Sequence, residues 1–210
     1  MGGRNLVNWL GLVPFLLALA ALYVFSRYSD GLASVSETRD TLSQIQDFLA
    51  ELTNAETAQR GYLLTSKTAY LEPFSSSVST IHEGLVNLRP RLQKDGNDSG
   101  IILELETAAN DKIEELRETL RIAQTEGSQA KLKMADSDRG HVQTLKIREI
   151  VTILQDHERA LLAGRREDLR KLRLEVVALF GFGILLSAAL VFLVHRANQR
   201  SVQARDRRES

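Results

Sequence analysis

The chain has 210 residues, a formal net charge of zero and no cysteine. The absence of cysteine excludes disulfides, zinc–thiolate sites and cysteine nucleophiles. Between residues 27 and 175 the chain carries 21 basic and 25 acidic side chains. This mildly acidic balance argues against nucleic acid as a partner.

Two uncharged apolar runs, residues 5–26 and 176–194, bracket this acidic segment. At ~1.5 Å of rise per helical residue, both are long enough for a hydrocarbon core of ~30 Å. We therefore predict two transmembrane helices with the lipid bilayer around them. A cleavable signal is the alternative for the first run, because Ala18-Leu19-Ala20 resembles a cleavage site. Apolar sequence continues beyond it to Phe25, which favours an uncleaved anchor.

The charges of the short tails predict the orientation in the membrane. Two spans place both termini on one side, and the last segment has five arginines against Asp206 and Glu209. Because short segments rich in Lys and Arg stay in the cytoplasm, we expect both termini inside a bacterial cell and the central domain outside its inner membrane.

Five basic residues at the outer end of the second span run against this rule. They are Arg165, Arg166, Arg170, Lys171 and Arg173. The rule is weak for long translocated segments.

The predicted organisation has five parts. They are a cytoplasmic N-terminus (1–4), a first transmembrane helix (5–26), an extracytoplasmic helical domain (27–175), a second transmembrane helix (176–195) and a basic cytoplasmic tail (196–210).

The periodicity predicts four helices and no strand. The first runs from the membrane to about Thr65, with a break over 66–68, and the second starts near Pro73. A turn cluster over 94–100 separates the second helix from the third, which closes at Gly127. We expect a helix over 128–140 that runs on into the second span. The inward positions of the last three helices are Leu71, Phe74, Val78, Ile81, Leu85, Leu88 and Leu92, then Ile102, Leu105, Ala109, Ile113, Leu116, Leu120 and Ala123, then Ile147, Val151, Leu154, Glu158, Leu161 and Arg165.

These elements predict an all-α fold. Two short central helices and two long outer helices make an antiparallel up-down four-helix bundle, and the outer pair is continuous with the two transmembrane helices.

A polar interruption in the first helical stripe is the main candidate site. Leu42, Ile45, Leu49 and Leu52 recur at steps of three and four, and the same count continues to Glu56 and Gln59. A carboxylate and an amide at such positions are either buried with partners or exposed to water or a ligand.

We expect Glu56, Gln59, Arg60 and Arg148 to form one polar layer inside or beside the bundle. Glu56 lies about 30 residues from the first span and Arg148 about 28 from the second, so that at ~1.5 Å per residue their heights are similar. The layer either fixes the register of the helices or contacts a ligand. A simple surface ion pair between Glu56 and Arg60, four residues apart, is the further alternative.

Other residues carry weaker expectations. Gly61 permits a close helix approach, with Tyr62 packed beside it. Glu158 and Arg165 fall on the last stripe and suit a contact between helices or between two copies of the chain. The four histidines, His82, His141, His157 and His195, show no metal-ligand spacing, so we predict no metal site. No catalytic set or phosphate loop is present either, and we predict neither an enzyme nor a cofactor.

Two stretches together resemble a known family. The first is the string from Asn54 to Thr65, NAETAQRGYLLT, followed by YLEPF from Tyr70; the second is IREI from Ile147 with ERALL from Glu158. They are similar to the third class of the CHASE domains, over about residues 27–173. An Asp is common in the family at position 54 and a Gly at position 58. The motif residues to which the resemblance gives a structural role are Ala55, Thr57, Gly61, Tyr62, Leu63, Pro73, Glu158 and Arg165.

The resemblance implies a helical sensory domain between two transmembrane helices, and a homodimer. Such domains normally feed a cytoplasmic kinase, cyclase or chemoreceptor module. Only about fifteen residues follow the second span here. We therefore expect the output on a longer chain, as a missing transmitter, or on a separate cytoplasmic signalling partner. The rival hypothesis is a structural or scaffold protein, a membrane-anchored helical interaction bundle without a ligand.

Overall fold

The computed structural model describes residues 3–97, 99–125 and 138–209. For residues 3–15, 17, 138–141, 190, 197–198 and 200–209 only the backbone is described. Four α-helices and one 3₁₀ turn account for most of the described residues. They are α1 (Gly3–Thr65), the 3₁₀ turn (Thr68–Tyr70), α2 (Leu71–Lys94), α3 (Ser99–Thr125) and α4 (Asp138–Glu209).

The prediction of an all-α four-helix bundle is confirmed, and no strand occurs in the described ranges. The predicted end of the third helix at Gly127, and the predicted helix over residues 128–137, lie outside the described residues. The chain divides into two compact units. The smaller unit consists of Met1–Ser34 with Arg165–Ser210, and the larger of Val35–Gly164.

The core of the larger unit is built by apolar residues three and four apart on all four helices. Helices α2 and α3 bury the stripes that the sequence predicts, except that Leu71 at the start of α2 is only partly buried. On α4 the stripe differs at one step, because Leu162 is buried whereas Leu161 is only partly buried. The predicted inward position of Leu161 is therefore wrong. The step from Glu158 is four residues rather than three, as the 3.6-residue repeat of a helix requires at intervals. The most completely buried members of the core include Ile45, Leu52, Ile81, Leu88, Leu105, Ile113, Ile147 and Leu154.

Ion pairs between side chains identify which helices of the larger unit are neighbours. Lys94 at the end of α2 pairs with Glu37 on α1 (Nζ to Oε2, 2.6 Å). Arg89 donates to Glu106 across α2 and α3 (Nε to Oε1, 2.6 Å). Lys146 pairs with Glu104 across α4 and α3 (Nζ to Oε1, 2.9 Å). These pairs lie on the surface and stabilise the fold little, but they define the helix order.

The α1–α2 connection is a left-handed helix end. Ser66 has a φ of 59°, and its amide donates to the carbonyl of Tyr62 at 2.7 Å. This hydrogen bond satisfies one of the last carbonyls of α1. The break over residues 66–68 is thus confirmed. Pro73 is the third residue of α2, within the first turn, where a missing amide hydrogen costs nothing.

The α2–α3 connection is held against α4. Gly96 has a φ of 83°, and the amide of Asn97 donates to the carbonyl of Leu92 at 3.0 Å. The Asn97 side chain donates to Glu158 on α4 (Nδ2 to Oε1, 2.7 Å). His157 Nε2 lies 3.0 Å from the carbonyl oxygen of Asp95. One short connection and one long helix are therefore joined by two polar contacts.

In the smaller unit, α1 and α4 approach closely. A Cβ added at Gly31 would lie 2.6 Å from Cδ2 of Leu169. Arg165 Nη1 donates to the carbonyl oxygen of Ser34 at 3.1 Å. By length and composition, one described segment, on α4 within Val142–Arg196, is apolar enough to cross a membrane, and none of its apolar stretch is buried. Most side chains of the first apolar run, residues 5–26, lie outside the described set.

Candidate functional site

Glu56 lies in a cluster of charged and polar side chains drawn from three helices. Lys112 on α3 places its Nζ 3.2 Å from Glu56 Oε1 and 2.8 Å from Glu115 Oε2. Thr144 on α4 donates to Glu56 (Oγ1 to Oε1, 2.5 Å). We call these four residues the Lys112 cluster. It joins α1, α3 and α4 at one level of the larger unit.

Lys112 is in this position because it falls on the inward stripe of α3. It follows Ala109 by three residues and precedes Leu116 by four, and Thr119 and Ala123 continue the same steps. The stripe that the sequence predicted used the neighbouring Ile113 and did not include Lys112. The spacing of Lys112 from Ala109 and Leu116 was the signal that would have found it.

The burial of this cluster makes its charges interdependent. The Lys112 side chain is 3% exposed, against 12% for Glu56 and 23% for Glu115. A buried ammonium group is tolerated only when carboxylates and hydrogen bonds replace its water. With one cation and two anions, the cluster has an excess negative charge at the helix seam. The Lys112 cluster can fix the register of the three helices. A group that replaces one member of the cluster will therefore disturb the contacts of all three helices.

A buried acceptor lies beside the cluster. Gln143, the neighbour of Thr144, has a buried Oε1 atom with no hydrogen-bond partner among the described residues. Its side chain lines a groove of about 320 Å³ between α3 and α4, together with Leu103, Glu104, Asp111 and Lys146. The groove reaches Asp111, the residue before Lys112, and so lies close to the cluster along both helices.

The other members of the predicted polar layer are distributed differently. Gln59 is buried, but Arg60 and Arg148 are exposed, and neither forms an ion pair with Glu56 among the described residues. Arg148 instead lines a shallow groove with Leu49 and Thr53. The α4 residue that contacts Glu56 is Thr144. The height estimate, which paired Glu56 with Arg148, was therefore wrong by four residues, or about one helical turn.

Gly61 faces an aromatic ring. A Cβ at this position would lie 2.5 Å from Cε1 of Tyr70, the last residue of the 3₁₀ turn. The close neighbour is thus the Tyr70 side chain of the α1–α2 connection, whereas the sequence predicted an adjoining helix. Tyr62 and Leu63 beside it are buried in the core.

The remaining motif residues have identifiable surroundings. Ala55 is fully buried in the core, and Pro73 is exposed. Thr57 is exposed and donates to the carbonyl of Thr53 at 2.8 Å. Glu158 is fully buried and accepts from Asn97, while Arg165 donates to the Ser34 carbonyl. Each of these two predicted seam residues therefore contacts another element of the fold. Among the residues that the structure describes, no group of His, Cys, Asp and Glu side chains could hold a metal ion.

The class of protein that these observations define is an all-α helical bundle with a buried charged cluster at its seam. Residues 32–168 match the CHASE3 domain family, and the chain belongs to that family. It is accordingly a sensory module of signal transduction. The resemblance seen in the sequence is confirmed.

A solved structure has the same fold. The sensor domain of the histidine kinase HK9 from Rhodopseudomonas palustris aligns with a TM-score of 0.55 and 23% identity, covering 60% of this chain and 98% of that one. A comparison with curated proteins gives no match.

Proposed function

We propose that the chain is a membrane-anchored sensory module whose CHASE3 domain lies outside the inner membrane of a bacterium. Residues 5–26 and 176–195 cross the bilayer, residues 27–175 form the outer domain, and residues 1–4 and 196–210 lie in the cytoplasm. Family membership and the two apolar runs that bracket the domain support this arrangement.

The signal acts by displacing α1 and α4 relative to each other. A change in the Lys112 cluster alters contacts of both helices at once, because Glu56 belongs to α1 and Thr144 to α4. Helix displacements on the order of 1–2 Å are typical of such transitions. The chain acts as a homodimer, and the cytoplasmic output lies on a longer chain or on a partner protein.

The observation that carries the proposal is the length of α4. It is a single helix from Asp138 to Glu209, so it contains a member of the Lys112 cluster, the second apolar run and the arginine-rich tail. A helix without a break transmits an axial shift or a rotation, whereas a flexible joint would absorb it.

Labelling of single cysteines tests the topology, because the chain has no cysteine of its own. Ser79→Cys introduces a thiol on the exposed face of α2, and Ser201→Cys introduces one in the basic tail. In intact spheroplasts, a membrane-impermeant maleimide is expected to label Ser79→Cys at once, and Ser201→Cys only after detergent is added. The reverse pattern, or equal labelling of both, would contradict the proposed orientation.

The scaffold hypothesis makes a different prediction for the Lys112 cluster. If the cluster serves packing alone, Glu56→Gln and Lys112→Met together change thermal stability and leave every signalling output unchanged. If the module senses, the same pair alters the output of the folded protein.

A further inference from the structure

The smaller unit contains an apolar groove between α1 and α4. Its walls are Ala21, Val24 and Phe25 on α1 and Val176, Leu179 and Phe180 on α4, and its volume is about 320 Å³. Phe25 and Phe180 are largely exposed. An exposed apolar groove of this size is a binding surface for something apolar.

One end of the groove is polar. Tyr28 and Arg173 also line it, and each is nearer along its helix to the CHASE3 domain than any apolar wall residue. Arg173 is exposed and forms no ion pair among the described residues. The groove therefore has a long apolar part that ends at a guanidinium and a phenol.

Several of the basic residues at the outer end of the second apolar run extend the polar end of the groove along α4. Arg166, Arg170 and Arg173 follow each other at steps of four and three, and Val177 and Phe180 extend the same row. Three arginines and two apolar residues thus share one face of α4. The Nη1 of Arg170 lies 3.9 Å from Glu167 Oε2, at the outer limit of an ion pair.

We propose that this groove binds one anionic phospholipid of the outer leaflet, with an acyl chain between α1 and α4 and the phosphate at Arg173. The order of charged and apolar groups along the row matches the order of headgroup and chain in such a lipid. Arginine suits a phosphate because its planar guanidinium donates two parallel hydrogen bonds. This inference rests on the proposed membrane crossing, and it assigns the basic residues outside the membrane a ligand.

The test measures which lipids remain with the purified full-length chain. The protein is reconstituted in nanodiscs of equal parts phosphatidylcholine and phosphatidylglycerol, released into mild detergent and examined by native mass spectrometry. Wild type is expected to retain phosphatidylglycerol preferentially. Arg173→Gln is expected to lower this preference about tenfold, the factor for ~1.4 kcal/mol, because the phosphate loses its charge-assisted hydrogen bonds to the guanidinium.

Two matched controls separate a site from a general surface effect. Lys171→Gln removes the same charge two residues away on another face of α4, and is expected to leave the preference unchanged. Ala21→Phe fills the groove without changing charge and is expected to abolish retention. Ala178→Phe adds the same side chain at an exposed position that does not line the groove, and is expected to have no effect.

Three results would overturn the inference. Equal losses in Arg173→Gln and Lys171→Gln would indicate a diffuse basic surface, and full retention in Ala21→Phe would exclude the groove. Complete disulfide cross-linking of Val177→Cys between two copies in the same bilayer would mean that a second chain occupies the groove.

Extraction with alkaline carbonate distinguishes a failure of the lipid site from a failure of the proposed function. A chain that stays in the membrane but shows no lipid preference contradicts the lipid site alone, whereas a chain that washes off contradicts both.

Discussion

Lys112 is the residue on which the buried cluster depends. Its ammonium contacts two carboxylates while its side chain is almost completely buried. Lys112→Met keeps an unbranched side chain of nearly the same length and removes the ammonium between Glu56 and Glu115. We expect the free energy of unfolding to fall by about 2–3 kcal/mol, since removal of one partner leaves buried charge uncompensated. Chemical unfolding of the full chain in detergent measures the change.

A surface pair supplies the control for this substitution. Lys146 pairs with Glu104 at 2.9 Å, but both side chains are about half exposed. Lys146→Met is expected to change the free energy of unfolding by less than about 1 kcal/mol. Equal losses for the two lysine variants would show that burial of Lys112 has no energetic consequence.

Gly61 provides a second prediction at the scale of one residue. Gly61→Ala places a methyl group against the Tyr70 ring, so the ring or α1 must move, and we expect a loss of about 1–3 kcal/mol. Gly84→Ala is the matched control, because nothing lies within 4 Å of a Cβ at that position of α2. That variant is expected to gain up to ~1 kcal/mol from helix propensity. A gain of the same size in both variants would contradict the close contact with Tyr70.

Single residues show where sequence reasoning reached its limit. The helical count placed Glu56 on the seam, and the structure places it in the Lys112 cluster. The partner was missed because Lys112 and Ile113 both fit the periodicity of α3, and an apolar residue is the usual choice. Arg148 was assigned to the height of Glu56, although it lies one turn away. The two heights were counted from the ends of two apolar runs, so an error in either end shifts the pairing. Contacts between helices that are far apart in sequence depend on the axial register of one helix against another. The periodicity within a single helix carries no information on that register.

At the scale of the element, the end of α1 is the most testable. Ser66 adopts a φ of 59°, which a residue with a Cβ occupies at a cost, and its amide completes the helix end. Ser66→Gly is expected to raise the free energy of unfolding by up to ~1 kcal/mol. Ser79→Gly, on an exposed face within α2, is expected to lower it by a similar amount. A loss in Ser66→Gly would contradict the left-handed conformation.

The extents of the elements were largely accessible from the sequence. Pro73, the turn-forming residues after Lys94 and the sustained apolar steps mark the ends of α2 and the start of α3. Apolar periodicity identifies helices well when each has one buried face. The docking of the α2–α3 connection through Asn97 was not accessible, because it joins residues 61 positions apart.

For the whole molecule, the number and order of helices followed from the sequence, and family membership gives them a sensory role. The link between the Lys112 cluster and the cytoplasm is the central part of the proposal. It requires that α4 remain rigid from the cluster through the second apolar run.

A double-variant experiment, which combines a change in the Lys112 cluster with a break in α4, tests this link most directly. The full chain is fused after residue 209 to a kinase transmitter, and autophosphorylation is measured in membrane vesicles. Lys112→Met is expected to change the rate, and Lys146→Met is not. Insertion of two glycines after Arg170 interrupts α4, and with it Lys112→Met is expected to have no further effect on the rate. A Lys112→Met effect of undiminished size in the interrupted protein would contradict transmission through α4.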